Sequence, residues 1–156
     1  MAPIMTGIST GLLAPVVALN IWTFGMEAWM YATRIPAAEK YGADLRSEAT
    51  KEAKGVLTPP TPDFNRKLPA SVRWKADNYN HLHEQPTQFY ALALTLALLG
   101  DTTPSSQNLA WTYVSLRVMH SLIQSIGNKI MLRFSVFITS SAVLVALTVK
   151  AASIVF

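Results

Sequence analysis

Ionisable side chains are scarce outside the central polar segment of this chain, and several of them are spaced so that they could share one site. Arg117, His120 and Gln124 stand at i, i+3 and i+7, which places them on one face of a helix. Arg133 follows further along. Because guanidinium groups bind carboxylates through paired hydrogen bonds, this cluster predicts a pocket for a small anionic ligand. An alternative for Arg133 is that its aliphatic side chain lies in the apolar layer of a membrane while its guanidinium reaches the membrane–water interface.

A second polar stripe lies upstream and has spacings of mostly three and four residues. Its members are Arg73, Asp77, Asn80, His81, Glu84 and Gln88. The alternative is the solvated start of an amphipathic helix with ordinary i,i+4 pairs. Pro86 ends the stripe, and it should free the carbonyl of Leu82 and bend the helix. Arg117 lies well inside its own helix and is expected to need an acidic partner, for which the candidates are Glu27, Asp77 and Glu84.

The N-terminal helix has a polar stripe of its own, in which Asn20, Glu27 and Arg34 lie seven residues apart. This stripe predicts a contact with another helix or another chain. Cysteine is absent, so any thiol chemistry must use a thiol from outside. No metal site is expected, because His81 and His83 in an H-x-H spacing point about 200° apart on a helix.

The elements that must position these residues are long and apolar. The 156 residues are 51% apolar and 14% charged, which is typical of a membrane protein rather than of an ordinary soluble enzyme. The pattern predicts one domain, residues 1–156, with helices at about 4–33, 71–99, 105–127 and 130–156 and a polar loop over 34–70. Each helix is long enough to cross a bilayer. The predicted fold is all-α, an integral membrane four-helix up-and-down bundle.

The distribution of Lys and Arg predicts the topology. The 34–70 segment holds seven of them, and the connection around 100–105 holds none. By the positive-inside rule the basic loop is cytoplasmic, and both termini lie on the non-cytoplasmic side of a multi-pass protein. The net charge of +4 does not indicate a nucleic-acid partner, because the basic residues alternate with acids and apolar runs flank them.

The motifs also resemble those of a known family. The segment 76–86, Ala-Asp-Asn-Tyr-Asn-His-Leu-His-Glu-Gln-Pro, resembles the second-helix signature of the MAPEG family, the membrane-associated proteins in eicosanoid and glutathione metabolism. Arg117-Val118-Met119-His120 is similar to the family's Arg-x-x-His or Arg-x-x-Tyr. Arg133 matches the spacing of the arginine that several members use on the bound thiol. The resemblance covers nearly the whole chain and favours a microsomal glutathione transferase-like member.

The resemblance implies a homotrimer that binds glutathione, as thiol co-substrate, between neighbouring subunits near the cytoplasmic face. The implied activity is transfer of glutathione to lipophilic electrophiles or reduction of peroxides. Arg133 would be the catalytic residue that stabilises the thiolate. The residues expected to hold glutathione are Arg73, Asn80, Glu84, Arg117, His120 and Gln124, with Arg34 contributed by the adjacent subunit. The other expected partners are lipids and a lipophilic substrate, and a membrane protein is a further candidate partner.

Three departures from the family pattern leave alternatives open. Gln124 stands where many enzymatic members have Tyr, and Phe137 stands where an aromatic hydroxyl is often found. Aligning Pro86 with the family proline puts His83, and not Glu84, at the acid position. The first alternative is therefore a non-catalytic accessory or scaffold subunit of a membrane complex. The second is a proton or small-ion pathway, lined by Glu27, Asp77, His81, Glu84 and His120.

Overall fold

The structure, a computed structural model, describes residues 10–52, 66 and 68–156. Within these ranges the chain forms five α-helices and no strand. They are α1 (Thr10–Glu52), α2 (Ala70–His81), α3 (Pro86–Leu98), α4 (Pro104–Ile126) and α5 (Ile130–Val155). The all-α prediction is confirmed for the described part of the chain. The predicted helix start near residue 4 lies outside it.

The first helix is much longer than predicted, and the predicted loop over 34–70 is wrong for residues 34–52. α1 continues through them to Glu52, with Pro15 and Pro36 inside it. The reason lies in the composition of this segment, which is rich in Ala, Glu, Lys and Arg and therefore has high helix propensity. Polar character alone does not end a helix. The proline cluster begins only at Pro59, beyond the end of α1.

The second predicted helix, 71–99, is also corrected, because it is divided into α2 and α3 by a turn at residues 82–85. The amides of His83 and Glu84 donate to the carbonyls of Asn80 and His81, three residues earlier. Pro86 is the first residue of α3, where a missing amide donor costs nothing and the fixed φ suits the helix. The bend expected at Pro86 is thus a complete break.

The last two helices begin and end within a residue of the predicted bounds. The stop predicted at Gly127-Asn128 is confirmed, since Asn128 has a φ of 43°. Its amide donates to the carbonyl of Ile123 over 2.7 Å, as in a left-handed helix C-terminus. This short turn sends α5 back along α4, and the two helices pack closely.

The helices pack around one apolar core. It includes Leu12 and Leu19 of α1, Phe89 of α3, Tyr113 of α4 and Leu147 of α5, all fully buried. The rings of Phe89 and Tyr113 stack with their centroids 4.6 Å apart. α4 contacts α1, α2 and α5. Polar side chains on α4 are therefore held against three other helices.

In the part of the chain that the structure describes, two helices are long and apolar enough to cross a membrane, by length and composition. They are the Thr10–Tyr41 part of α1 and the whole of α5. Many large apolar side chains point outward on these helices, among them Ile21, Phe24, Met131 and Val145. Such an apolar exterior is unusual for a soluble monomer and suits contact with lipid.

Candidate functional site

Arg117 is buried at the centre of the molecule and is only 1% exposed. Its Nε donates to the hydroxyl of Tyr113 over 3.0 Å, and its guanidinium carbon lies 5.3 Å from the Tyr113 ring centroid and 5.4 Å from that of Phe137. Nη2 is buried without a hydrogen-bond partner. The acidic partner expected for Arg117 is not found among the described residues; a phenol and two aromatic rings take its place. Buried cations are normally paired, so this guanidinium retains capacity for an anion.

One turn further along α4, His120 faces an imidazole of α2. The ring centroids of His120 and His81 are 4.9 Å apart, and the rings meet edge to face. The ring centroid of Phe137 on α5 lies 5.5 Å from that of His81 and 6.3 Å from that of His120. His120 is 3% exposed and is close enough to Arg117 and Arg133 to interact with both charges.

A cavity of about 170 Å³ opens beside this pair. Its lining consists of His81, His120, Ile130, Arg133, Phe134 and Phe137. Arg133 is half-buried, and its Nη1 donates to the side-chain oxygen of Asn128 over 2.7 Å. The helix-terminating Asn128 therefore also orients the guanidinium at the cavity wall. Two imidazoles and a cation on an otherwise apolar wall are groups that can stabilise a small anion or take up a proton.

Unpartnered polar atoms continue from the imidazole pair along the α2–α4 contact. Lys75 Nζ lies 3.5 Å from the carbonyl oxygen of Ser125, so α2 and α4 run antiparallel with Asn78 opposite residues 121–125. The side chains of Asn78, Ser121, Gln124 and Ser125 are buried, and each has a polar atom without a partner. Buried groups of this kind usually bind ordered water or ligand. The interior of the bundle is therefore polar at this level.

The remaining predicted binding residues do not converge on the cavity within one chain. Arg73 and Asn80 are exposed on α2, and Glu84 is exposed in the turn that follows it. Arg34 is half-buried on α1. The exposed His83 shares a hydrogen bond of 2.8 Å between its Nδ1 and the carbonyl oxygen of Tyr79. The predicted set thus divides into a buried group and an outward group. The buried group comprises Arg117, His120 and Gln124, and Arg133 lies at the cavity wall. The outward group comprises Arg34, Arg73, Asn80 and Glu84.

Sequence reasoning missed several residues of this site. Tyr113 was not predicted, although an aromatic hydroxyl four residues before Arg117 shares its helix face and could have indicated the contact. Asn128 was interpreted only as a helix stop. The role of Phe137 between Arg117 and the imidazole pair depends on helix packing, for which the local sequence carries no signal.

A larger open groove of about 480 Å³ lies on the outer face of α4. Its lining residues are Asn108, Trp111, Thr112, Ser115, Leu116 and Met119. None of them is charged or titratable near neutral pH. The smaller cavity at Arg133 is therefore the better candidate for acid–base or thiol chemistry.

The fold and the site together define a class of protein: an all-helical membrane protein with a cationic, imidazole-lined cavity near one end of the bundle. A model of the MAPEG family matches residues 12–153, nearly the whole chain. The chain belongs to the MAPEG family, which confirms the resemblance seen in its motifs. Searches of curated proteins and of solved structures found no match. Family membership and the two apolar helices indicate a membrane protein and are consistent with a glutathione-related function.

Proposed function

We propose that this chain is a glutathione-dependent membrane transferase or peroxidase that acts on lipophilic electrophiles. The observation that carries the proposal is the buried, acid-free guanidinium of Arg117, one turn from His120 and the Arg133 cavity. Within the described residues, Arg117 presents positive charge to the bundle interior and has no carboxylate partner, which suits a ligand that brings carboxylates and a thiolate.

In the proposed mechanism the protein supplies electrostatics and position. Glutathione places its sulfur at the cavity wall beside Arg133, whose charge stabilises the thiolate relative to the thiol. The thiolate attacks an electrophile held against the apolar side chains Ile130 and Phe134, which extend from the cavity to the outer surface of α5. Holding the two reactants together supplies much of the remaining rate. No protein nucleophile is required.

The size of the cavity supports a site that a second subunit completes. Pockets that enclose small organic ligands measure about 300–1,000 Å³. At about 170 Å³, the space beside Arg133 suits the thiol end of glutathione better than the whole tripeptide. The rest would lie along the outward group, Arg73, Asn80 and Glu84, and against Arg34 of an adjacent subunit in a homotrimer. We also propose four membrane crossings, with both termini on the non-cytoplasmic side.

The proposal predicts that millimolar glutathione raises the unfolding temperature of the detergent-purified protein, and that Arg133→Ala abolishes conjugation of a chloronitroarene. Lys129→Ala is the matched control, because Lys129 is exposed four residues earlier and does not line the Arg133 cavity. Arg133→Lys should retain part of the activity, since it keeps the charge. If glutathione neither stabilises the wild-type protein nor is consumed, the proposed function is wrong.

A non-catalytic scaffold subunit is the second candidate. The observation that favours it is Phe137, which places an aromatic ring without a hydroxyl between Arg117 and the imidazole pair. A scaffold predicts that purification in a mild detergent recovers a stoichiometric partner protein and that Arg133→Ala leaves this recovery unchanged. Recovery of the chain with no other protein would exclude this second candidate.

A further inference from the structure

His81 connects the cavity to a carboxylate at the protein surface. On one side its ring packs edge to face against His120 and lines the cavity beside Arg133. On the other, Nδ1 lies 3.4 Å from Oε2 of Glu84, within ion-pair distance although without hydrogen-bond geometry. The Glu84 side chain is 69% exposed. Among the described residues, no hydrogen bond occupies Nε2 of His81.

The break between α2 and α3 creates this arrangement. His81 is the last residue of α2, and the following turn holds Glu84 beside it through a hydrogen bond of 3.3 Å from the Glu84 amide to the His81 carbonyl. The Thr87 hydroxyl donates to the Glu84 carbonyl over 2.6 Å and fixes the other side of the turn. A carboxylate facing one ring nitrogen favours the proton on that nitrogen and leaves the other as an acceptor.

We propose that His81 is the proton acceptor for the cofactor thiol in the reaction proposed above, on which this inference rests. The S–H bond breaks, its electron pair stays on sulfur, and an N–H bond forms at Nε2 of His81. Glu84 is a positioning residue whose carboxylate lies 3.4 Å from Nδ1 of His81 and stabilises the imidazolium electrostatically. His120 orients the ring from the opposite side. The structure thereby assigns separate tasks to two residues: the Arg133 guanidinium stabilises the thiolate, and the neutral His81 imidazole removes the proton.

The proton balance closes with the chloronitroarene used as probe. The thiolate forms a bond to the ring carbon, and chloride leaves with the electron pair of the C–Cl bond. The proton on His81 passes to water beside the exposed carboxylate of Glu84. One proton and one chloride ion are thus released for each thioether formed, and no oxidant or further reactant is needed.

The charges around His81 come from every helix packed against it. Glu84 in the adjoining turn is the acidic neighbour, while His120 of α4 and Arg133 of α5 share the cavity with it. Glu27 and Tyr31 of α1 face α2 at Tyr79 instead.

The test compares His81→Gln with His83→Gln. His83 is a matched control, because it is the same residue type two positions away, is exposed, and contacts Tyr79 and not the cavity. For His81→Gln we expect kcat/KM at neutral pH to fall about 100-fold, a typical value for a lost general base, and to recover as the pH rises. The dissociation constant of glutathione should change by less than about threefold, because binding itself is retained. The thiolate absorbance of the bound glutathione should also persist to lower pH in the wild type than in His81→Gln.

An unchanged pH profile and unchanged thiolate absorbance in His81→Gln, with wild-type activity present, would overturn this inference and leave the proposed function intact. Absence of glutathione binding and turnover in the wild type would overturn both. If His81→Gln does not fold, Glu84→Gln decides the matter. Loss of that charge should move the acid limb of kcat/KM to lower pH, and an unmoved limb would contradict the role of His81.

Discussion

At the scale of single residues, the account depends on what surrounds Arg117. A guanidinium removed from water normally requires a carboxylate, yet this one is held by the hydroxyl and ring of Tyr113 and by the ring of Phe137. Phenol and ring contacts position the charge without neutralising it. The protein thereby maintains a positive interior at the level of the Arg133 cavity.

The Tyr113 hydroxyl is therefore expected to stabilise the fold. Tyr113→Phe removes the acceptor for Arg117 Nε and leaves the aromatic packing, so it should lower the free energy of unfolding by about 1.5–3 kcal/mol, the usual range for a hydrogen bond to a charged group. Thermal unfolding in detergent measures the effect. Tyr31→Phe is the control, because that side chain is exposed. Equal unfolding temperatures for Tyr113→Phe and the control would show that the hydroxyl does not hold the guanidinium.

At the scale of elements, the break between α2 and α3 is the feature that gives the site its shape. Its turn carries Glu84, and the Gln85 side chain donates to the Ser141 hydroxyl over 2.7 Å, which ties the turn to α5. The sequence predicted a bend at Pro86 within one helix over 71–99, because proline has a strong local signature, but it did not predict a complete break. The sequence prediction missed the extent of α1, because the helix propensity of residues 34–52 outweighs the polar composition that suggested a loop.

The break should depend on Pro86. Pro86→Ala restores an amide donor and removes the ring clash, so a continuous helix from α2 into α3 becomes less costly by about 3 kcal/mol. Because the chain has no cysteine, spin labels can be attached to cysteines introduced at the exposed positions Ala70 and Leu94 alone. The distance between the labels should lengthen in the variant. An unchanged distance distribution would mean that the tie to α5 alone maintains the turn.

The start of α4 predicts a specific pH dependence. Burial by itself raises the pKa of the Asp101 carboxyl, but hydrogen bonds from Ser106 and from Thr103, with the charge of Lys150, outweigh it and hold the pKa below its ordinary value. A lowered folded-state pKa contributes stability that is present above the ordinary value of about 3.9 and is lost as the pH falls through the folded-state pKa. Asp101→Asn should therefore lower stability at neutral pH by about 1 kcal/mol, because the Thr103 amide and the Ser106 hydroxyl lose a charged acceptor. Its unfolding temperature should fall less than that of the wild type on acidification. Parallel pH curves for the two proteins would contradict this role.

At the scale of the whole molecule, the sequence predicted the family and the helical fold more completely than it predicted the site. Motif spacing identified the MAPEG family and grouped Arg117, His120 and Gln124 on one buried face. The contact of His81 with His120 and the position of Phe137 could not be predicted, because they depend on how α2, α4 and α5 pack together, and no local sequence pattern encodes that packing. The outward position of Arg73, Asn80 and Glu84 likewise appears only in three dimensions.

The proposed trimer predicts complementation between subunits. If one chain provides Arg133 and its neighbour provides Arg34, each single variant, Arg34→Ala or Arg133→Ala, should be inactive alone. Mixed trimers that contain both variants should recover about a third of the wild-type activity, because one of the three sites in each such trimer receives both arginines. Co-expression with two different tags and an activity assay on doubly purified protein measure this. Absence of any recovery in confirmed mixed trimers would place both residues in one subunit.

The most direct test of the central claim is an experimental structure of the detergent-purified protein with glutathione present. The account predicts the tripeptide at the boundary of two subunits, with its sulfur in the cavity beside Arg133 and the rest of the molecule along Arg73 and Asn80 of one subunit and Arg34 of its neighbour. A cavity that contains only lipid or water, with glutathione absent at saturating concentration, would contradict it.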